Sequence, residues 1–133
     1  MVVHCSATKP TMNIGKKEID TWHRQKGWLK IGYHYVIRRD GEIEIGRELN
    51  EVGAHVQGYN DRSLGICMVG GIDDAGEPEN NFTEQQFAAL STLLYQLVTI
   101  YPDAEIKGHR NFANKACPSF DVEEWWKNKT QVS

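Results

Sequence analysis

The chain has 133 residues, 40% of them hydrophobic and 25% charged, with a formal charge of −3 at pH 7. That is enough chain for one domain with its own core, and the balance is that of an ordinary globular protein with no electrostatic footprint for nucleic acid or an anionic membrane. No apolar run approaches the roughly 20 residues that insert into a bilayer, and Met1-Val2-Val3-His4 lacks the basic and apolar regions of a signal peptide. Synthesis in a cytosol without a leader is expected, with any later export by a separate route.

In chain order, Val2 to Cys5 reads as a short buried strand, on which His4 and Cys5 point to opposite faces and cannot both meet one metal ion. A polar loop follows from Ser6 to Asn13, and then Ile19, Trp22 and His23 fall on one helix face that Gly27 ends. Ile31 to Ile37 is rich in aromatic and β-branched residues and predicts a strand with Tyr33 and Tyr35 on one face and His34 on the other. Asp40-Gly41 predicts a two-residue type I′ hairpin returning through Glu42–Ile45. Glu51 to Ser63 is a loop, Leu64 to Val69 a central strand covered on both faces, and Ile72 to Asn81 a surface loop after the Gly70-Gly71 break.

Thr83 and Gln86 form a capping box. It opens the longest helix, with an apolar stripe of Phe87, Leu90, Leu94, Leu97, Val98 and Tyr101 that stops at Pro102. Ala104 to Ile106 predicts a last strand, and Asp121 with Glu124 caps a final helix bearing Trp125 and Trp126. The expected architecture is α/β in the mixed α+β sense: a central mixed β-sheet flanked by helices, in one domain spanning 1–133.

Chemistry concentrates near the end of the chain. Lys107-Gly108-His109-Arg110 and Lys115-Ala116-Cys117-Pro118 put a histidine and a cysteine in a Gly/Asn/Pro-containing loop with seven residues between them. Imidazole and thiolate are both good zinc donors, and His4 is the obvious third. Three protein donors with an open fourth position describe a catalytic zinc rather than a structural one. From spacing alone the plainer account is favoured: an ordinary loop histidine and a cysteine acting as a small buried hydrophobe. Three cysteines, Cys5, Cys67 and Cys117, do not make a disulfide framework, and Cys67 in its apolar run reads as core. His23 reads as packing, and His34 as a ring that satisfies a backbone group.

The runs VHCSATKP, EIDTWHRQKGW, IGYHYVIRRDGEIEIGR, VGAHVQGYN, MVGGIDD, NFTEQQ and KACPSFDVEEWW resemble, in order and over nearly the whole chain, the zinc amidase lysozymes of short-tailed phages. Those enzymes are N-acetylmuramoyl-L-alanine amidases that share a fold with peptidoglycan recognition proteins. The resemblance implies hydrolysis of the amide between N-acetylmuramic acid and L-alanine of the stem peptide, and host lysis as an endolysin acting on periplasmic peptidoglycan. It implies one Zn²⁺ per chain, held by His4, His109 and Cys117. It also implies Tyr33 and Lys115 as catalytic partners and His55 on the substrate groove. The glutamate base of His-Glu-x-x-His zinc peptidases is absent, so Tyr33 is expected to orient the attacking water or shuttle its proton, with Lys115 stabilising the oxyanion.

Three rivals are weighed against that reading. A non-catalytic peptidoglycan-binding module of the same fold typically lacks the cysteine ligand, and Cys117 is present. Some phage amidases of this type also restrain the phage RNA polymerase. Here the chain starts almost directly at its first strand, where those enzymes carry an additional N-terminal segment, so that partnership is given less weight. A different zinc hydrolase would have to match the motif string by chance. A monomer is expected, with no appended wall-binding domain, which fits a thin and accessible wall.

Overall fold

A computed structural model describes residues 1–130. Five strands, β1 (Val2–Cys5), β2 (Tyr35–Ile37), β3 (Ile43–Ile45), β4 (Gly65–Met68) and β5 (Lys107–Gly108), form one sheet in the order β3-β2-β4-β1-β5. Only β3 runs antiparallel to its neighbour; β2, β4, β1 and β5 are mutually parallel. Helices α1 (Lys16–Gln25), α2 (Glu84–Ile100) and α3 (Val122–Thr130) flank it. This is the expected mixed sheet between helices.

Continuous apolar runs take the middle of the sheet because both faces there are covered. Ile66, Cys67 and Met68 of β4 are all 0% exposed. One face carries Val3, Cys5, Ile37, Ile66 and Met68, under Leu90, Leu93, Leu94 and Leu97 of α2 and Val122 of α3. The other carries Val36, Cys67 and Val69 against Ile14, Ile19 of α1 and Ile31. Residues paired across parallel strands share a face, and His4 pairs with Cys67, which pairs with Val36. His4 therefore lies on the α1 side and Cys5 in the α2-side core, as strand parity requires.

Leu93 joins the α2 stripe, while Tyr101, at the C-terminal cap, is 39% exposed. The burial of each such leucine contributes about 1.5–3 kcal/mol, which explains why this helix was readable from its pattern.

Three expectations are corrected. The hairpin is not a two-residue type I′ turn. The Arg38 amide donates to Glu42 O at 2.8 Å, the Gly41 amide donates to Arg38 O at 2.9 Å, and Gly41 is left-handed (φ 88°) while Asp40 is not. This is a three-residue loop closed by a bulge, in which glycine supplies the positive φ. The last strand is Lys107–Gly108, not Ala104–Ile106, because the Lys107 amide donates to Met1 O at 3.0 Å and the Met1 ammonium to Glu105 O at 2.7 Å.

The third correction bears on the site. The strand begins at Tyr35, and Tyr33 and Tyr35 lie on opposite faces: Tyr33 packs in the α1-side cluster and Tyr35 in the α2-side one. The consecutive carbonyls of Tyr33 and His34 accept from the consecutive amides of Arg47 and Gly46, each at 2.9 Å. A regular antiparallel ladder does not pair that way, and the chain bends there.

Candidate metal centre

His4 reaches the site on β1, which has parallel neighbours on both sides, and is 1% exposed. Its companions come from the loop after β5. That strand runs directly into a 3₁₀ turn, His109–Asn111, whose start is capped by Asn111 Oδ1 accepting from the Gly108 amide at 2.8 Å. The Arg110 amide donates to the Cys117 carbonyl at 2.8 Å, folding the intervening residues into a closed loop that returns the cysteine to the histidine. Ser119, just beyond, sits at φ 74°, a region costly for a residue with a Cβ, and its hydroxyl donates to Gly71 O at 2.8 Å.

One ring nitrogen each of His4 and His109 and the sulfur of Cys117 all lie within 4.8 Å of one another. Among the described residues this is the one such cluster of three or more histidine, cysteine or acidic side chains. Zinc takes nitrogen and sulfur donors at about 2.0–2.3 Å, so three atoms this close and of these types fit it. Burial, then the charges of His55, His109 and Lys115, hold the His4 pKa well below its usual value. Burial and Lys115 lower that of His109. Both imidazoles are thus neutral, which is the ligand form. The side-chain contact with Cys5, then burial, pushes the Cys117 thiol up. A cation at the cluster reverses that, since a coordinating thiol is deprotonated outright. The Cys5 amide already donates to Cys117 Sγ at 3.1 Å, a bond that favours the thiolate.

Tyr33 places its ring 5.1 Å from that of His4, between centroids. Burial, followed by the nearby Cys67, Cys117 and Cys5 thiols, raises its hydroxyl pKa well above the usual value, so it is a proton donor rather than a base. An open groove of about 490 Å³ adjoins the cluster, lined by Trp28, Ala54, His55, Val56, Gln57, Asn60, His109, Phe112, Ala113 and Lys115. Lys115 is exposed at its edge. The Tyr59 and Phe112 rings meet at 4.5 Å on one side of it. A larger concavity, about 1030 Å³, runs along Ala104–Lys107 and α3, but it is a solvent-facing valley bearing the Lys107–Glu123 and Arg110–Asp121 ion pairs and lacks the donor triad.

The remaining histidines divide cleanly. His34 is 0% exposed; its Nδ1 accepts from the Gly65 amide at 3.1 Å and its Nε2 bonds Glu51 O at 2.8 Å, so both ring nitrogens serve backbone. His23 Nδ1 accepts from the Gly32 amide at 2.9 Å, holding the end of α1 to the next segment. His55 lies between site and scaffold: Nδ1 is 2.9 Å from His4 Nε2 and Nε2 is 3.2 Å from Ser63 Oγ. Burial first, then the His34 charge, lowers its pKa to about 4. Trp28, Phe112, Asn60 and Ser63 were not foreseen, because loop residues that line or brace a groove leave no periodic signal.

The N-acetylmuramoyl-L-alanine amidase sequence profile matches residues 1–120. The endolysin of Klebsiella phage KP32 is 53% identical over 131 residues, covering 98% of this chain and 87% of that protein. Among solved structures, N-acetylmuramoyl-L-alanine amidase LysC from Clostridium intestinale URNW superposes with a TM-score of 0.84 at 34% identity, covering 99% of this chain and 84% of the other. Bumblebee PGRP-SA shares the fold, with a TM-score of 0.80 at 24% identity over 96% of this chain and 79% of its own. With its sheet, its His/His/Cys cluster and this extent of likeness, the chain belongs to the N-acetylmuramoyl-L-alanine amidases.

Proposed function

We propose that this chain is a phage endolysin of one catalytic domain, residues 1–133, that cleaves the amide between the lactyl group of N-acetylmuramic acid and L-alanine of the stem peptide. In this reading one zinc ion per chain is held by His4, His109 and Cys117. The observation that carries it is the convergence of those three donor atoms within 4.8 Å at the end of an open groove. Bound there, zinc supplies Lewis acidity toward the amide carbonyl and the attacking water.

The chain's own groups do the rest. Tyr33, neutral and packed beside His4, is assigned the role of orienting the attacking water through its hydroxyl. Lys115, at the groove edge beside His109, offers a cation to the carbonyl oxygen as negative charge develops on it. Trp28 and Phe112 give the groove apolar walls for the glycan and peptide, and His55 stands on its floor. The protein is made in the host cytoplasm and works on periplasmic peptidoglycan after release through a separate route.

Digestion of purified peptidoglycan tests this. Free stem peptides beginning at L-alanine, with glycan strands left intact, are expected. New reducing sugar ends without new amino termini would identify a glycosidase and overturn the reading.

A further inference from the structure

We infer that His55 is a positioning residue for His4, fixing the tautomer of that ring through a proton-ordered chain anchored on a backbone carbonyl; this rests on the metal reading above. The Tyr59 carbonyl oxygen has no proton and accepts from the Ser63 hydroxyl at 2.7 Å. A serine hydroxyl has one proton, so toward His55 it presents a lone pair. His55 Nε2, 3.2 Å from Ser63 Oγ, is therefore the nitrogen that carries hydrogen. A neutral imidazole carries one such hydrogen, which leaves His55 Nδ1 as an acceptor. That atom lies 2.9 Å from His4 Nε2, which must donate to it. Nδ1 of His4 is then the nitrogen with a free lone pair, available to a metal.

The ring has no freedom to abandon this arrangement. The His55 and Val56 amides both donate to Asn60 Oδ1, at 2.7 and 2.8 Å. A Cβ on Gly65 would stand 2.6 Å from His55 Cγ, so the ring lies against bare strand backbone that only glycine provides. His34, 5.9 Å away between ring centroids, has both nitrogens on backbone groups and cannot exchange a proton with it. Both nitrogens of His55 are consumed in the chain of bonds, so none is left to recognise substrate. A ligand histidine whose other nitrogen donates to a fixed acceptor is the usual outer-shell device of metal sites.

Zinc affinity, measured by competition with a chromophoric chelator, tests the inference on the full chain. His55→Ala should weaken zinc binding about 10–100-fold, the usual cost of losing such a partner. His55→Asn, whose carboxamide oxygen falls near the Nδ1 position, should restore most of it. In the zinc-loaded, ¹⁵N-histidine-labelled unsubstituted chain, long-range ¹H–¹⁵N spectra should show His4 protonated at Nε2. Wild-type affinity in His55→Ala, or a His4 ring protonated at Nδ1, overturns the relay while leaving the metal reading intact. An unsubstituted chain that binds no zinc overturns the metal reading itself, and the relay with it. Should His55→Ala not fold, the ring-nitrogen spectrum of the unsubstituted chain decides alone.

Discussion

Gln86 of α2 and His4 of β1 are both fully buried polar side chains, 0% and 1% exposed, yet their surroundings differ in kind. Gln86 Nε2 donates to Ile37 O at 3.2 Å and Val69 O at 2.8 Å, while its Oε1 accepts from Arg39 at 3.2 Å and from the Thr83 amide at 3.0 Å. Arg39 goes on to Asn81 O at 2.8 Å, and Asn81 to Ile72 O at 2.7 Å. Both polar atoms of Gln86 take two partners each, so that side chain is complete and binds nothing further. Around His4 the opposite holds. The ring hydrogen is drawn off toward His55, and donor atoms of His4, His109 and Cys117 are left facing one another. Two nitrogens and a sulfur held within 4.8 Å of one another are the donor set that a cation such as zinc completes. Closed polar clusters hold the fold, and clusters of converging lone pairs mark the site.

Substitutions on the two sides should fail differently. The largest effect is expected for Cys117→Ala, which takes one of three donors away while leaving the sheet intact. Turnover on peptidoglycan should fall about 10³-fold or more, equivalent to about 4 kcal/mol, with zinc lost on metal analysis and the folded state retained. Undiminished zinc in that variant would mean the cluster is only a packed corner.

Gln86→Ala is its counterpart and should do the reverse. It takes one of two donors from each of the Ile37 and Val69 carbonyls and removes the acceptor of Arg39 and of the Thr83 amide, for a loss of about 2–4 kcal/mol in urea denaturation with zinc affinity unchanged. Next in size come Tyr33→Phe and Lys115→Ala, which remove no metal donor. Each should keep zinc and fold and lose about 10²-fold in turnover, if the hydroxyl and the cation act in the transition state. A Tyr33→Phe enzyme with full activity and bound zinc would reduce Tyr33 to packing.

How much of this could be read from the chain depends on how local the determinant is. β4 and α2 were legible because an unbroken apolar run and a capping box are written within a few consecutive residues. Tyr33 was expected to reach the site by strand parity. It does so through the bend at His34, which is set by pairing with Gly46 and Arg47 and leaves no mark in the 31–37 segment. The last strand was placed too early for the same reason, since its register comes from Met1 at the other end of the chain. His109 and Cys117 alone were a weak signal. What brings them together is one backbone bond, Arg110 to Cys117, and side-chain chemistry does not announce it. The donor trio could be listed from the sequence but was preferred to a loop histidine and a packed cysteine only through resemblance, and Ser63 and Asn60 were not foreseen at all.

The smallest expected effect probes the edge of the closed knot. Thr83 Oγ1 accepts from the Gln86 amide at 3.1 Å and donates to Arg39 O at 2.6 Å, so one hydroxyl caps α2 and ties it to the β2–β3 loop. Thr83→Ala removes the cap and leaves the Gln86 amide without its side-chain acceptor, at a cost of about 1 kcal/mol. In a domain this size that lowers the melting temperature by about 3–5 °C. Thr83→Ser keeps the hydroxyl and should recover most of the loss. Neither change shares an atom with His4, His109 or Cys117, and substitutions without shared partners add independently. Zinc affinity should therefore be the same in Thr83→Ala as in the unsubstituted chain at a temperature where both are folded. A clear drop in that affinity would show that the knot and the metal cluster are coupled through the sheet, and the division between a closed scaffold and an open site would have to be given up.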